Sequence, residues 1–178
     1  MHDPNKRKVV KSLVRKKNLD LVYFQETKIK EMFIEIVRSL SVGKNLGCVS
    51  MDVKGTIEGV LLSWDTRALE CLNMEAGFYS ISCRFRNCED GFLWLFTKIY
   101  GLVKGKERRE MWEELAPIKG FLDEAWCLCG DFNVVHFPIE KRNCRQMSTT
   151  MREFSSFIEE FQLANLPLGG GNFTWCGE

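Results

Sequence analysis

From Leu46 to Tyr100 the apolar residues recur with a period of two, and that rhythm restricts the middle of the chain to β-structure. It is clearest where Tyr79, Ile81, Cys83 and Phe85 alternate with Ser80, Ser82, Arg84 and Arg86. Such alternation predicts a strand with one buried and one wet face. Asn87 to Gly91, ending in Asp90 and Gly91, supplies a turn, so an antiparallel hairpin with residues 92–100 is expected. Earlier strands are expected over residues 47–53, 59–64 and 69–75.

Helical spacing brackets this stretch. Val9, Val10, Leu13 and Val14 are spaced to face a core, while Lys6, Arg7, Lys8, Lys11, Arg15, Lys16 and Lys17 crowd the same segment. The cationic face could lie along phosphates, or it could be the solvated side of an amphipathic helix. Met32, Phe33, Ile36, Val37 and Leu40 mark a second helix, and Met111, Trp112 and Leu115 a third, which Pro117 should end or kink, with a further turn through Phe121. Thr150 and Glu153 form a capping-box pattern ahead of an apolar face of Met151, Phe154, Phe157, Ile158 and Phe161. Pro167 and the glycines at 169–171 then force a loop before a short aromatic segment. Helices flanking mainly antiparallel strands fit an α+β sandwich rather than a doubly wound parallel sheet.

With 178 residues, 45% apolar and 28% charged, the chain reads as one ordinary globular domain spanning 1–178. No apolar run approaches the ~20 residues that cross a bilayer. The first residues, Met1 to Lys6, show no secretory signal, so an intracellular site in nucleus or cytoplasm, and no membrane partner, is expected. The eight cysteines lack short paired spacings and only His2 and His136 are present, so free buried thiols are expected rather than disulfides or zinc. The net charge of +1 singles out no partner.

Two apolar runs break off into acid and amide. Residues 19–24 lead into Gln25, Glu26 and Thr27, and residues 125–129 lead into Gly130, Asp131, Phe132 and Asn133. The second run reads as a fully buried strand. Carboxylates at two strand ends suit a hard cation such as magnesium, which is held by one or two carboxylates, waters and phosphates. The alternative is that each acid is simply the first solvated residue after a strand.

Gln25-Glu26-Thr27-Lys28, Ile99-Tyr100-Gly101, Gly130-Asp131-Phe132-Asn133 and Phe173-Thr174-Trp175, in that order, resemble the motifs of the endonuclease/exonuclease/phosphatase family. More narrowly they resemble the endonuclease domain of plant LINE-type non-LTR retrotransposons. The resemblance implies a deoxyribonuclease I-like four-layer α/β/β/α sandwich that cleaves a phosphodiester with Mg2+, or Mn2+ in its place. It implies that Glu26 holds the metal, Asp131 orients or deprotonates the attacking water, Asn133 and Tyr100 contact phosphate, and Thr174 supports the site. DNA would be the partner, contacted also by Lys28 and by Arg142 and Arg145 in the following loop, with a reverse transcriptase domain in the same polyprotein. Read without the resemblance, Tyr100 is ordinary packing, Asn133 a turn residue, and Arg142 and Arg145 solvated loop charge.

The chain departs from the family pattern in several places. The segment Pro4-Asn5-Lys6-Arg7 aligns with the start of the first helix, so the asparagine of the family's first strand is missing, as is the closing Asp-His pair. His136 does not replace that histidine and is expected at the surface. Leu102 stands where relatives have proline after Tyr100-Gly101. A domain truncated at both ends, with little or no nuclease activity, is therefore expected. A catalytically silent nucleic-acid-binding domain and a phosphatase of the same fold are the alternatives.

Overall fold

The computed structural model describes residues 4–27, 45–52, 59–99, 106–121, 124–130, 132–141 and 143–166. The chain forms two compact units, one built from Met1–Gly101 and Asp123–Gly130, the other from Leu102–Leu122 and Asp131–Glu178.

The first unit opens with helix α1 (Pro4–Lys17) and continues into strands β1 (Leu21–Thr27), β2 (Leu46–Asp52) and β3 (Gly59–Asp65). These strands form an antiparallel sheet in the order β1-β3-β2. A second sheet, in the order β4-β5-β6-β7, contains β4 (Leu69–Ala76), β5 (Ser80–Asn87), β6 (Leu93–Ile99) and β7 (Ala125–Gly130). Its first three strands are antiparallel, whereas β7 runs parallel to β6.

Alternation drives the packing. Leu69, Ile81, Cys83, Phe85 and Phe96 point from the second sheet toward Leu62 of the first, and Leu21, Val49, Trp64, Trp94, Cys127 and Cys129 close around them. Phe85 is the hub, with Trp64 edge-on and Trp94 tilted, each at 5.4 Å between ring centres. Gly47 pairs with Trp64 across β2 and β3, and the indole lies where a Cβ on residue 47 would be, so only glycine fits there. The expected hairpin forms: the Asn87 amide donates to the Phe92 carbonyl at 2.9 Å, and Gly91 takes φ = 73°.

Three expectations about buried faces are corrected. The second face of β5 is not wet throughout, because Ser80 and Ser82 are buried. The Ser82 hydroxyl meets that of Thr97 at 2.8 Å, and the Trp126 indole N–H donates to Thr97 at 2.9 Å. Hydroxyls that satisfy one another can be buried at small cost, so a polar residue in an alternating pattern does not guarantee exposure. β7 is half-buried rather than fully buried, since it pairs with β6 alone among the described strands and forms that sheet's edge. On α1, Val9 and Leu13 are exposed, against the expectation that they face a core. The helix expected around Met32 to Leu40 lies outside the described residues.

The second unit contains α2 (Lys106–Phe121), a 3-10 turn (Pro138–Glu140) and α3 (Thr149–Glu160). Helix α2 continues through Pro117 to Phe121, where the sequence places a further turn. Proline removes one backbone hydrogen bond, while the fully buried Met111 and Leu115 hold the helix by its apolar face. Helix α3 is capped two residues earlier than expected: Ser148, not Thr150, accepts from the Met151 amide at 3.2 Å. Glu153, released from a capping role, pairs with Arg109 at 3.6 Å. Met151, Phe154, Phe157 and Phe161 are buried as the helical spacing predicts. Among the described residues every cysteine is free, but only Cys83 is buried. No described helix is long and apolar enough to cross a membrane.

Candidate functional site

Glu26 sits in a distortion of β1. Phe24 pairs with Leu61 and Thr27 with Gly59, so β1 advances three residues while β3 advances two. The extra residue makes a β-bulge at Gln25 and Glu26. A bulge interrupts the ladder and re-aims side chains, which is why bulges recur beside active sites. The acidic end that the sequence places after an apolar run is thus an irregular strand end rather than a regular one running into solvent.

Strands β6 and β7 end side by side. Their parallel register runs from Trp94 opposite Ala125 to Ile99 opposite Gly130, and Tyr100 and Asp131 are the next residues in each chain segment. Gly130 permits this ending. A Cβ there would lie 2.7 Å from the Ile99 Cβ and 2.8 Å from the Ile99 carbonyl oxygen, closer than van der Waals contact allows. Gly130→Ala is therefore expected to cost about 1–3 kcal/mol through forced separation of β6 and β7. Urea unfolding monitored by tryptophan fluorescence would measure it, and an unchanged midpoint would show that the strand ends adapt freely.

Beyond Gly130 the backbone turns through an aromatic clamp. Phe132 stacks with Trp112 at 6.3 Å and tilts against Phe154 at 5.1 Å, and Trp112 in turn stacks on Phe157 at 4.0 Å. Asn133 follows in the left-handed region at φ = 50°, a conformation asparagine tolerates better than most residues, and it is exposed. The motif thus alternates anchor and presented residue: Phe132 is held in the second unit's aromatic core and Asn133 stands at its surface.

Asp131, Tyr100, Thr174, Lys28 and Arg142, and the side chain of Glu26, lie outside the described residues. Arg145 is described and exposed. His136 departs from the expected surface position. Its ring stacks on Phe137 at 3.8 Å and stands edge-on to Phe154, and its Nδ1 is buried without a hydrogen-bond partner among the described residues. Its backbone amide donates to the Glu140 carboxylate at 2.7 Å.

One charged residue near these strand ends escaped the motif reading. Lys98 is completely buried, and its Nζ lies 4.6 Å from the centre of the Tyr23 ring. Across the second sheet it pairs with Ile81 on one side and Cys129 on the other. The signal was present in the alternation itself, because Trp94, Phe96 and Lys98 occupy successive inward positions of β6. Burial pushes the Cys129 thiol up to about 12, with the Lys98 charge pulling the other way. Burial likewise raises the Tyr23 hydroxyl above its ordinary range.

A carboxylate at a bulged strand end is the hard oxygen donor that magnesium requires, so Glu26 fits that ion by donor type. Among the described residues no group of three or more His, Cys, Asp and Glu side chains gathers to bind a metal.

No family model matches the sequence, and no curated protein is significantly similar to it. Solved structures do resemble the fold. A mannosyl-6-phosphatase from Bacteroides thetaiotaomicron superposes with a TM-score of 0.59 at 15% identity, covering 85% of this chain and 61% of that one. An endonuclease/exonuclease/phosphatase family protein from the same organism gives 0.59 at 16% identity, covering 85% and 60%. The human Nocturnin catalytic domain with bound sulfate gives 0.56 at 13% identity, covering 86% and 63%. The chain thus spans about three-fifths of the length of these structures. At such identities the likeness speaks to architecture: this chain is an α+β sandwich with the fold of the endonuclease/exonuclease/phosphatase proteins.

Proposed function

We propose that this chain is a phosphodiester-cleaving domain of the DNA-nicking type, related to retrotransposon endonucleases and dependent on Mg2+, that retains little or no nuclease activity of its own. The observation that carries this reading is the placement of Glu26 on a bulged strand end, in a unit where β6 and β7 end together immediately before Tyr100 and Asp131. In-line displacement at phosphorus needs an oriented water and stabilisation of charge on the non-bridging oxygens. Asp131 takes the proton of the attacking water, Asn133 and Tyr100 donate to phosphate oxygens, and Glu26 holds the ion. When bound, Mg2+ supplies Lewis-acid polarisation of the phosphate. Arg145, exposed after the motif, and Lys28 and Arg142 track the DNA backbone.

Conversion of supercoiled plasmid to the nicked form in Mg2+ tests the reading. Slow nicking at most is expected, and what nicking there is should be lost with EDTA and in both Glu26→Ala and Asp131→Ala, since each removes a group acting on the transition state; robust nicking by the unsubstituted chain overturns the low activity. Nicking that survives either substitution overturns the assignment. Release of phosphate from small phosphomonoesters at a higher rate than plasmid nicking would identify a phosphatase instead.

A second reading follows from α1, where Lys8, Lys16 and Lys17 are all exposed. A silent DNA-binding domain would hold DNA through this helix in EDTA. Its affinity would fall linearly with salt on logarithmic axes and would be unchanged by Glu26→Ala.

A further inference from the structure

We infer that α1 is a groove-reading helix, whose exposed face lies across the major groove of duplex DNA with lysines on the phosphates of both strands and Val9 and Leu13 against thymine methyl groups. This rests on the reading of α1 as a DNA-binding helix and deepens it, by assigning the groove and the chemical group that the helix touches.

Lys8, Val9, Ser12, Leu13, Lys16 and Lys17 follow one another at i, i+1, i+4, i+5, i+8 and i+9, which is one face of a helix over three turns, and all six are exposed. Lys8 stands at one end of this face, Lys16 and Lys17 at the other, and Val9, Ser12 and Leu13 between them. At a rise of about 1.5 Å per residue, the cations at the two ends lie about 12–14 Å apart along the axis. That matches the major groove, which is about 12 Å wide and admits an α-helix. When the helix crosses the groove, cations at this spacing reach phosphates of opposite strands, and the residues between them face base edges.

The centre of the face is apolar, with Val9 67% exposed and Leu13 50%. Phosphate recovers none of the free energy of keeping these side chains in water. In the major groove the thymine C5 methyl offers them an apolar contact, and the Ser12 hydroxyl can donate to or accept from a neighbouring base edge. Charge complements the same ligand, because α1 contains seven lysine and arginine residues and no aspartate or glutamate. An anionic bilayer also combines negative charge with apolar matter. It takes an apolar stripe running the length of a helix, however, whereas here cations close off an apolar centre at both ends.

Fluorescence anisotropy with the full chain in EDTA tests the inference, using two labelled duplexes that differ only in carrying thymine or deoxyuridine at every T position. Deoxyuridine removes the C5 methyl and leaves the hydrogen-bonding groups of the major groove unchanged. Wild type should bind the thymine duplex at least about threefold more tightly, the effect of burying one methyl group. Val9→Ser/Leu13→Ser should bind both duplexes alike. Val9→Gln/Leu13→Gln, which keeps helix propensity, replaces it should circular dichroism show that the serine variant loses helix. Lys16→Gln/Lys17→Gln should weaken both duplexes and lower the slope of log affinity against log salt by about two, while keeping the thymine preference. Glu26→Ala should change none of this, so the result is independent of nicking. Duplex binding by wild type with no thymine preference, or a preference that survives loss of both apolar side chains, overturns the groove assignment and leaves α1 a phosphate-binding helix. Absence of duplex binding overturns the DNA-binding reading of α1 and this inference together. Tighter binding to vesicles of phosphatidylserine and phosphatidylcholine than to DNA at equal salt, lost in Val9→Ser/Leu13→Ser, would identify a membrane surface and overturn it as well.

Discussion

Phe85→Ala is expected to remove about 3–5 kcal/mol of unfolding free energy, a large share of the roughly 5–15 kcal/mol that holds a domain together. Phe85 is completely buried on the central strand β5, and it touches Trp64 of the facing sheet and Trp94 of the neighbouring strand. Its removal takes away transfer energy and ring contacts at once. It also leaves a cavity lined by two indoles that cannot collapse without moving strands β3 and β6. The urea midpoint should fall by about 1–5 M for an m-value of about 1–3 kcal/mol/M. Phe85→Leu, which refills most of the volume, should recover more than half of the loss. A midpoint shift below about 0.3 M for the alanine variant would show that the two sheets are not joined through this ring.

The second large effect is expected at Trp112, in the other unit. Trp112→Ala should cost about 3–5 kcal/mol, because the indole stacks on Phe157 at 4.0 Å and also meets Phe154 and Phe132. Trp112→Phe should be far milder. The indole N–H is buried without a hydrogen-bond partner among the described residues, so the phenyl ring gives up contact area but also removes an unsatisfied donor. The two substitutions also differ in a way that bears on the site. Phe132 immediately precedes Asn133, whose backbone is left-handed. In two-dimensional amide spectra the Asn133 resonance should shift and broaden in Trp112→Ala and remain near its place in Trp112→Phe. Identical Asn133 signals in both variants would separate the clamp from the loop it precedes.

The legible part of this chain was its strand pattern. Each strand expected between Leu46 and Tyr100 forms within a few residues of its expected ends, because alternating apolar residues can be buried only on one face of an extended chain. The order of Glu26, Tyr100, Asp131 and Asn133 along the chain was legible too, and the first of them falls on a bulge. Less legible were places where a tertiary partner reverses the local signal. Ser80 and Ser82 look wet in sequence but are buried, as is Thr97, whose hydroxyl meets that of Ser82. His136 looks like a loop histidine but packs on Phe137 and Phe154. Thr150 looks like the cap, yet Ser148 is the one with its oxygen within reach of a free amide. Capping signals two residues apart compete, and backbone angles decide between them.

By itself, then, the sequence determined the succession of strands and helices, the apolar faces of β5 and α3, and the positions of the acidic strand ends, all of which follow from periodicity and local stereochemistry. Tertiary structure alone decided that β7 lies parallel to β6 in a register that ends both strands together, that residue 130 must be glycine to allow it, and that Lys98 is enclosed against Tyr23. Each depends on which segments, distant in sequence, come into contact, and neither periodicity nor composition encodes that choice. A lysine that reads as ordinary in the chain becomes a buried charge only when two sheets close over it.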